Sequence, residues 1–493
     1  MPLKWSPVSL VVALAVLLGG CATRPINAPI RQASPSSGYQ YQARERTSKP
    51  HDNLVILAFS GGGTRAAAFS YGVLETLRRT EVRGPRETAR LLDEVNVITG
   101  VSGGTFTALA YGLYGDKLFD QYEKRFLKRD VQGELIARWL NPTKWPALSS
   151  PDWGRSELAA QLYDEILFNG ATFADLDRGN GPLVSVMATD ISTGSRFVFD
   201  QAFFDIICSD LDTVPLSRAA AASSAVPVVL TPVTINNYGG ACNYRVPAWA
   251  RQFTDAATTP RPAARALKRL HELQSFTDSV QRPYIHLVDG GISDNLGLRG
   301  VLDILETFEA LHSLGRPTPL DEVRRIGIFV VNSRSSPKTT WDASERAPGV
   351  VSLLVRASDV PIDAYSSDTV ELLKDIKARW EALRTIRDSA TLTAARGDDP
   401  FFSEVRNAPD AALYVVDVSF DALDDPKEVE YLQNLPTSLV LPDEAVDRLR
   451  AAANRIVLGS PEFQRLLRDA GASVTSGYPT AAGSTPATSA SRN

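Results

Sequence analysis

The pentapeptide Gly100-Val101-Ser102-Gly103-Gly104 places a serine in a pattern suited to nucleophilic catalysis. It follows a short β-branched run and precedes a helical pattern, which is the context that the G-x-S-x-G nucleophile elbow requires. The glycines let the strand and the helix approach each other closely around a sharp turn. Ser102 would then lie at a helix N-terminus, where free N–H groups and the helix dipole stabilise a developing oxyanion. These features make Ser102 a candidate nucleophile, with Gly100 and Gly104 as the glycines of its turn.

A second glycine-rich turn, Ser60-Gly61-Gly62-Gly63-Thr64-Arg65, ends the first predicted strand. Three successive glycines leave bare N–H groups, and such a nest binds anions. One candidate anion is a phosphate, and the other is the oxyanion of ester cleavage with Arg65 as a nearby positive charge. A plain tight turn is the structural alternative.

The same segment also fits the dinucleotide fingerprint G-x-G-x-x-A, at Gly61, Gly63 and Ala66, with Glu81 in the range of a ribose contact. A dinucleotide-binding unit needs a second strand that ends near this acidic residue. Glu81 instead follows the helical pattern 77–79. The pattern therefore disfavours a nucleotide site, but it leaves that possibility open.

A third turn, Asp289-Gly290-Gly291, follows another predicted strand, from which Asp289 could point across the top of the sheet toward Ser102. A turn or helix-cap aspartate is the alternative. A Ser-His-Asp triad would also need a histidine, and the four candidates lie in the N-terminal segment, in a polar stretch, on the opposite face of a strand and in an amphipathic helix: His51, His271, His286 and His312. None is well placed, so we expect a catalyst of two residues.

Short β-branched runs alternate with helical patterns along the body of the chain. The predicted strands are residues 54–59, 95–99, 183–188, 197–199, 284–288, 326–331 and 413–418. Such alternation predicts an α/β fold, a three-layer sandwich whose mainly parallel sheet is covered on both faces. These folds bind ligands beyond the carboxyl ends of their strands, where all three turns would lie. Residues 304–475 should add the remaining strands and C-terminal helices, with an amphipathic stripe at Leu373, Ile376, Trp380 and Leu383 covering one sheet face.

The N-terminus has the features of a secreted lipoprotein. Residues 1–20 carry Lys4 and an apolar run at 8–18, too short to span a bilayer but typical of a signal peptide. The run ends in Leu18-Gly19-Gly20-Cys21, which resembles a bacterial lipobox, in which Cys21 would be acylated; an ordinary signal peptide is the alternative. Ala22 after it indicates, by resemblance to enterobacterial sorting, a lipid-anchored protein of the bacterial envelope at the outer membrane. Residues 21–52 read as the lipidated cysteine and a flexible tether, and 476–493 as a disordered tail.

An insert at 124–182 carries Trp139, Trp145 and Trp153 near four basic residues, as in a lid or a membrane interface, or in a packed helical subdomain. Cys208 and Cys242 could pair in an oxidising compartment or remain buried thiols. The charge balance of 52 basic and 57 acidic residues, −5 overall, argues against a nucleic-acid binder. Four histidines and three cysteines offer little for a zinc site, so we expect no metal.

Taken in order, the three turns resemble the patatin-like phospholipase family. The family's G-G-G-x-R, G-x-S-x-G and D-G-G motifs stand at 61–65, 100–104 and 289–291, each after a predicted strand. Two more stretches, 188–194 and 222–227, are similar to its central strand and its proline turn, and 435–438 is similar to a segment of bacterial members. The resemblance covers residues 53–303, the expected catalytic domain.

The resemblance implies a Ser-Asp dyad that hydrolyses acyl esters of lipids without metal or cofactor. It makes Ser102 the nucleophile and Asp289 its base, with Gly290 and Gly291 completing the motif. It assigns the oxyanion loop to Gly61, Gly62, Gly63, Thr64 and Arg65. The implied partners are a phospholipid or other acyl ester and the membrane that holds the lipid anchor. An acyltransferase that uses the same acyl-enzyme is the alternative, followed by a non-catalytic or nucleotide-binding lipoprotein.

Overall fold

The computed structural model describes residues 22–41, 53–83, 88–150, 153–178, 181–246, 264–313, 318–336, 341, 345, 348–389 and 405–474. The strands are β1 (Asn53–Phe59), β2 (Thr80–Arg83), β3 (Thr88–Arg90), β4 (Val95–Val101), β5 (Leu183–Asp190), β6 (Arg196–Phe199), β7 (Val233–Asn236), β8 (Tyr284–Asp289), β9 (Arg325–Asn332), β10 (Ala412–Ser419) and β11 (Ala472–Val474). The helices are α1 (Gly63–Arg78), α2 (Gly103–Tyr114), α3 (Leu118–Tyr122), α4 (Val131–Leu140), α5 (Trp145–Leu148), α6 (Arg155–Tyr163), α7 (Phe173–Arg178), α8 (Gln201–Ile206), α9 (Leu216–Ser223), α10 (Ala264–Gln274), α11 (Gly291–Asp294), α12 (Arg299–Ser313), α13 (Val350–Arg387), α14 (Pro426–Gln433), α15 (Asp443–Gly459) and α16 (Pro461–Ala470). The predicted signal peptide, Cys21 and the tail at 476–493 lie outside the described residues.

The main sheet has eight strands in the order β10-β9-β1-β4-β5-β8-β7, with β6 also paired to β5. The pairs from β10 to β5 are parallel, whereas β6, β8 and β7 pair antiparallel to their neighbours. All seven strands predicted from the sequence are present. The prediction of an α/β fold with a mostly parallel central sheet is therefore confirmed.

The end of β4 meets the end of β8 head to head beside β5. The last residue of β4, Val101, pairs with Met187 of β5, and the next residue of β5, Ala188, pairs with Asp289. Ala188 also pairs with Phe197 of β6, so β8 must lie on the other edge of β5, the edge that β4 occupies. Because β8 runs antiparallel to β4, Asp289 approaches the nucleophile turn end-on. The sequence analysis did not predict that the strand carrying Asp289 is antiparallel to its neighbour β5.

Two apolar cores cover the two faces of the sheet. Alternate side chains of β1 separate between them, because successive strand residues point to opposite faces. Leu57 and Phe59 join the core beneath α1, α2 and α15, while Ile56 and Ala58 join the core beneath α12 and α13. The predicted stripe is the buried face of α13: Leu373, Ile376 and Trp380 are buried and Leu383 is partly buried.

Short strands were missed by the sequence analysis. β11, β2 and β3 form a separate three-stranded sheet, and β7 ends the main sheet in the described part of the chain, where it pairs with β8. Each of these strands is three or four residues long, which is too short for a period of two to be distinguished from chance. Glu81 lies in β2 of this separate sheet and not at the end of a strand next to β1, so the dinucleotide-binding arrangement is not formed.

The N-terminal segment, residues 22–41, packs along the domain and is not the flexible tether that its composition predicts. Asn27 is buried, and its side-chain amide forms two hydrogen bonds with the backbone of Asn236. Asn27 Nδ2 donates to the Asn236 carbonyl at 2.9 Å, and Asn27 Oδ1 accepts from the Asn236 amide at 2.8 Å. Tyr39 is fully buried and its hydroxyl accepts a hydrogen bond from the Val184 amide. Buried hydrogen bonds to distant residues hold this segment in place, although its low apolar content predicts disorder.

Cys208 and Cys242 form a disulfide, with Cα atoms 5.4 Å apart. The carbonyls of both cysteines also accept hydrogen bonds from the N-terminal segment, from the amides of Ile30 and Ala33 at 2.9 and 3.0 Å. The disulfide thus closes the loop against which the segment lies.

The insert at 124–182 is helical, and much of it is packed against the larger core. Trp153 is buried and Trp139 packs partly against that core, but Trp145 is 56% exposed. Within the described part of the chain, no helix combines the length and apolar content needed to cross a bilayer.

Candidate active site

Ser102 stands at the turn between β4 and α2, where its backbone has φ 47° and ψ −117°. A non-glycine residue with positive φ is uncommon, and such strain is typical of functional sites. The turn is possible because both flanking glycines lack a Cβ. A Cβ on Gly104 would lie 2.6 Å from the carbonyl oxygen of Ser60, and one on Gly100 would lie 2.8 Å from the Cα of Thr105.

The Ser102 hydroxyl donates a hydrogen bond to Asp289, with 2.8 Å between Oγ and Oδ2. Ser102 and Asp289 are only 6% and 8% exposed, so this pair is largely shielded from water while keeping an opening to the surface. The geometry is that of a nucleophile and its proton acceptor, for which about 2.6–3.2 Å is the effective range.

Asp289 is held in position by two backbone groups and one side-chain hydroxyl. Its Oδ1 accepts the amide of Gly291 at 2.8 Å, its own amide donates to the Ala225 carbonyl at 3.0 Å, and Thr189 Oγ1 donates to its carbonyl at 2.8 Å. With Oδ1 engaged by Gly291, Oδ2 is directed to Ser102. A Cβ on Gly290 would lie 2.3 Å from the Met187 carbonyl oxygen, so the D-G-G motif needs its first glycine where β8 crosses the end of β5.

The hydroxyl of Ser223, at the end of α9, supports the nucleophile turn from behind. It accepts the amide of Ser102 at 2.8 Å and donates to the carbonyl of Met187 at 2.6 Å. The sequence analysis quoted Ser223 only as part of a similar stretch and gave it no role. A serine in an alanine-rich helix carries no local signal of a contact with a residue 121 positions away.

The glycine-rich turn lies directly against Ser102. A Cβ on Gly61 would lie 3.3 Å from Ser102 Cβ, and one on Gly103 would lie 2.6 Å from the amide nitrogen of Gly63. Gly63 begins α1 and Gly103 begins α2, so the positive ends of two helices converge on Ser102.

In the predicted oxyanion loop, the amides of Gly62 and Gly63 are available as donors, whereas those of Gly61 and Thr64 already have partners. The Gly61 amide bonds the Asn295 carbonyl at 3.0 Å, and the Thr64 amide bonds the Ser438 carbonyl at 2.8 Å. The amides of Gly62 and Gly63 have no hydrogen-bond partner among the residues that the structure describes. Donors left free next to a nucleophile are the arrangement that stabilises a tetrahedral oxyanion.

Arg65 anchors the loop to the C-terminal part of the chain. Its guanidinium donates to the carbonyls of Ser333 and Leu435, at 2.8 and 2.6 Å, and to Thr437 Oγ1 at 3.1 Å. Arg65 is 3% exposed, so these contacts are deeply buried. Its visible role is to hold the loop, and the segment 435–438 is the surface that it binds.

We predict that Arg65→Lys and Arg65→Met lower the free energy of unfolding similarly, by about 1–3 kcal/mol, because a lysine cannot serve three acceptors in a planar arrangement. Both should also lower kcat for ester hydrolysis by about tenfold or more, because the loop loses its position. Denaturant unfolding and steady-state assays test this, with the more exposed Arg78→Lys as the control. Near-parental activity of Arg65→Lys beside an inactive Arg65→Met would instead indicate that the charge itself acts on the oxyanion.

Asn295 is a site residue that the sequence analysis missed. Its side-chain Oδ1 lies 2.5 Å from the position of a Gly61 Cβ and 3.0 Å from that of a Gly291 Cβ. Its carbonyl also accepts the Gly61 amide, so Asn295 joins the glycine-rich turn to the D-G-G turn. It stands six positions after Asp289, and that proximity in the chain was the one signal that could have identified it.

Two of the four histidines that the sequence analysis set aside, His286 and His312, have other partners, and His51 lies outside the described residues. The ring of His286 bonds Thr234 Oγ1, and His312 bonds the Asn407 carbonyl and Asp321. Burial disfavours the charged form of His312, but the hydrogen bonds to Asp321 and to the Asn407 carbonyl outweigh it and raise the pKa of His312. Among the described residues, no group of three or more His, Cys, Asp or Glu side chains is arranged to hold a metal ion.

Comparisons with known proteins show which family the chain resembles. The sequence profile of the family described as patatin-like phospholipase matches residues 57–302. A cGAMP-activated phospholipase from Escherichia coli (strain TW11681) is 28% identical over 184 residues, which cover 36% of this chain and 47% of that protein. The chain thus spans about half the length of this curated relative.

Among solved structures, human GIVD cytosolic phospholipase A2 is similar with 15% identity and a TM-score of 0.39, over 94% of this chain and 65% of that one. VipD from Legionella pneumophila is similar with 11% identity and a TM-score of 0.23, over 89% and 73% of the two chains.

Proposed function

Because the chain belongs to the patatin-like phospholipase family, we propose that it is a serine lipid acyl hydrolase that cleaves the ester bonds of phospholipids or similar acyl esters. The observation that carries the proposal is the Ser102 hydroxyl, 2.8 Å from the Asp289 carboxylate and beside the free amides of Gly62 and Gly63. Nucleophile, proton acceptor and oxyanion donors are the three parts that acyl transfer requires.

In the first half of the reaction, Ser102 Oγ attacks the acyl carbon while its proton passes to Asp289 Oδ2. The carbonyl oxygen becomes an oxyanion, which the amides of Gly62 and Gly63 stabilise. Each oxyanion-hole donor of this kind is worth about 10²–10³ in kcat. Collapse of the tetrahedral intermediate breaks the ester bond, and the leaving alkoxide takes the proton from Asp289, which leaves an acyl group on Ser102 Oγ.

In the second half, a water molecule attacks the acyl-serine and gives its proton to Asp289. The second tetrahedral intermediate uses the same two amides, and its collapse releases the fatty acid while Ser102 recovers the proton. An alcohol or a lysolipid in place of water would make the chain an acyltransferase. Water and acceptor compete for one acyl-enzyme, so the alternative differs only in the second half.

We further propose that the protein is a lipid-anchored member of the bacterial cell envelope, acylated at Cys21 and held at the outer membrane. The lipobox-like sequence before Cys21 supports the anchor. The Cys208–Cys242 disulfide supports an oxidising compartment, because cytosolic thiols are kept reduced.

The test combines labelling with product analysis. The full-length chain is incubated with a fluorophosphonate, and with vesicles of phosphatidylcholine and phosphatidylglycerol with and without an added alcohol. We expect a covalent adduct on the peptide that contains Ser102, and free fatty acid with lysolipid as products. New ester formed from the alcohol at the expense of fatty acid would identify the acyltransferase. A chain that neither reacts nor cleaves any ester would overturn the proposal.

A further inference from the structure

We infer that the protein docks on a lipid bilayer through an exposed apolar surface beside the active site, and that the N-terminal segment fixes the site of acylation at its edge. This surface consists of Ile136, Leu140, Trp145, Val226, Val228 and Val229. The inference rests on the proposed acylation of Cys21 and deepens the proposed activity by stating how the active site faces its lipid.

The first part of the surface is the outer face of the insert. Leu140 is 69% exposed and Ile136 42% exposed, four residues apart and therefore on the same side of α4. Trp145 lies beside them, because its indole Nε1 donates to the Trp139 carbonyl at 3.2 Å. A tryptophan with an apolar neighbourhood and an exposed ring is typical of the interface between membrane and water.

The second part is the loop after α9. Val228 is 57% exposed and has φ 75°, a conformation that strongly disfavours a β-branched side chain. Its two apolar neighbours are also exposed, Val226 at 36% and Val229 at 47%. Because exposed apolar clusters usually mark an interaction site, a strained loop that presents three valines to solvent indicates a partner that covers them.

Arg155 joins the two parts into one surface. Its guanidinium lies 5.8 Å from the ring centre of Trp139, and its Nη2 donates to the Val228 carbonyl at 2.9 Å. The valine loop in turn begins next to Ala225, whose carbonyl accepts the Asp289 amide. The apolar surface is therefore continuous with the backbone that carries the catalytic acid.

The occupant is identified by where residue 22 is held. Its carbonyl accepts a hydrogen bond from Ser150 Oγ at 2.7 Å, just after α5, which begins with Trp145. Arg24 and Asn27 then bind the segment to β7. Residue 22 directly follows the proposed acylation site in the chain, and it is thereby held beside Ser150, two residues after the end of α5. A flexible tether would have left the domain free to rotate, whereas this arrangement turns the apolar surface toward the membrane.

The experiment uses the full-length chain with vesicles of phosphatidylcholine and phosphatidylglycerol that have brominated acyl chains. Bromine quenches tryptophan fluorescence only at short range, and the difference between parent and Trp145→Phe isolates Trp145. We expect Trp145 to be quenched in the parent. In the double variant Leu140→Asp, Val228→Asp we expect that quenching to be lost and hydrolysis of vesicle phospholipid to fall by about tenfold or more. Hydrolysis of a soluble short-chain ester should keep its parental rate.

Ile304→Asp is the matched control, because Ile304 is 54% exposed on α12, which covers the opposite face of the sheet. It should leave quenching and vesicle hydrolysis unchanged. Unquenched Trp145 in the parent, including shielding of Trp145 by a second copy of the chain, would overturn the inference, as would parental vesicle hydrolysis by the double variant. If the parent cleaves no ester, the proposed function fails and the quenching result alone decides the docking.

Discussion

Replacement of Ser102 with alanine is expected to lower kcat for ester hydrolysis by about 10⁴-fold or more, because it removes the only atom that forms the acyl-enzyme. The fold should persist. The lost hydrogen bond to Asp289 is worth about 0.5–1.5 kcal/mol net, and the Gly291 amide still engages the carboxylate. The measurement is the steady-state rate on a soluble ester and on phospholipid vesicles, with the melting temperature recorded for each variant.

Ser70→Ala is the control for this variant. Ser70 lies in α1 and is buried like Ser102, and its hydroxyl has no hydrogen-bond partner among the described residues. Its removal tests the loss of a buried hydroxyl outside the reacting atoms, so activity should remain at the parental level. If Ser102→Ala kept a rate within tenfold of that control, another group would have to be the nucleophile.

Asp289→Asn is expected to reduce kcat by about 10³–10⁴-fold, and the fold should persist because the two side chains have nearly the same shape. The amide oxygen can still accept from Gly291, but the amide nitrogen then faces Ser102 Oγ and offers a donor where the reaction needs a proton acceptor. Steady-state rates of the parent and of Asp289→Asn on the same soluble ester measure this loss.

Asp205→Asn is the matched control for the loss of a buried carboxylate. Asp205 is 5% exposed and burial raises its pKa to about 6, since the charged form is poorly solvated there. Because the pKa of Asp205 is higher in the folded chain than in the unfolded chain, the folded state loses stability as the pH rises from the unfolded-state pKa to about 6. Asp205→Asn should therefore keep activity and lose none of its stability at neutral pH. An Asp289→Asn variant as active as this control would show that Asp289 is not the base.

The sequence alone was sufficient to predict those features of the molecule that depend on residues close together in the chain. The seven predicted strands, the helix after each glycine-rich turn and the position of Ser102 follow from steric preferences over a few residues. A β-branched run favours extended backbone, and glycines permit the tight turn that follows it. The family resemblance drew on the same local patterns, so it named Ser102 and Asp289 without reference to their distance.

Only the tertiary structure decided how these parts meet. Direction and pairing of strands depend on contacts between residues far apart in the chain, and no local pattern encodes that β8 runs antiparallel and brings Asp289 head-on to Ser102. The same holds for Ser223 behind the nucleophile, and for Arg65, whose acceptors stand 268 to 372 residues away.

The N-terminal segment shows the limit most clearly. Its composition predicts disorder, because composition measures how much apolar surface a segment can bury by itself. Composition does not reveal that Asn27 and Tyr39 form buried hydrogen bonds with β7 and β5. Local steric preferences thus determined the glycine-containing turns from the sequence, whereas long-range packing and hydrogen bonding determined how those turns assemble and where the N-terminal segment runs.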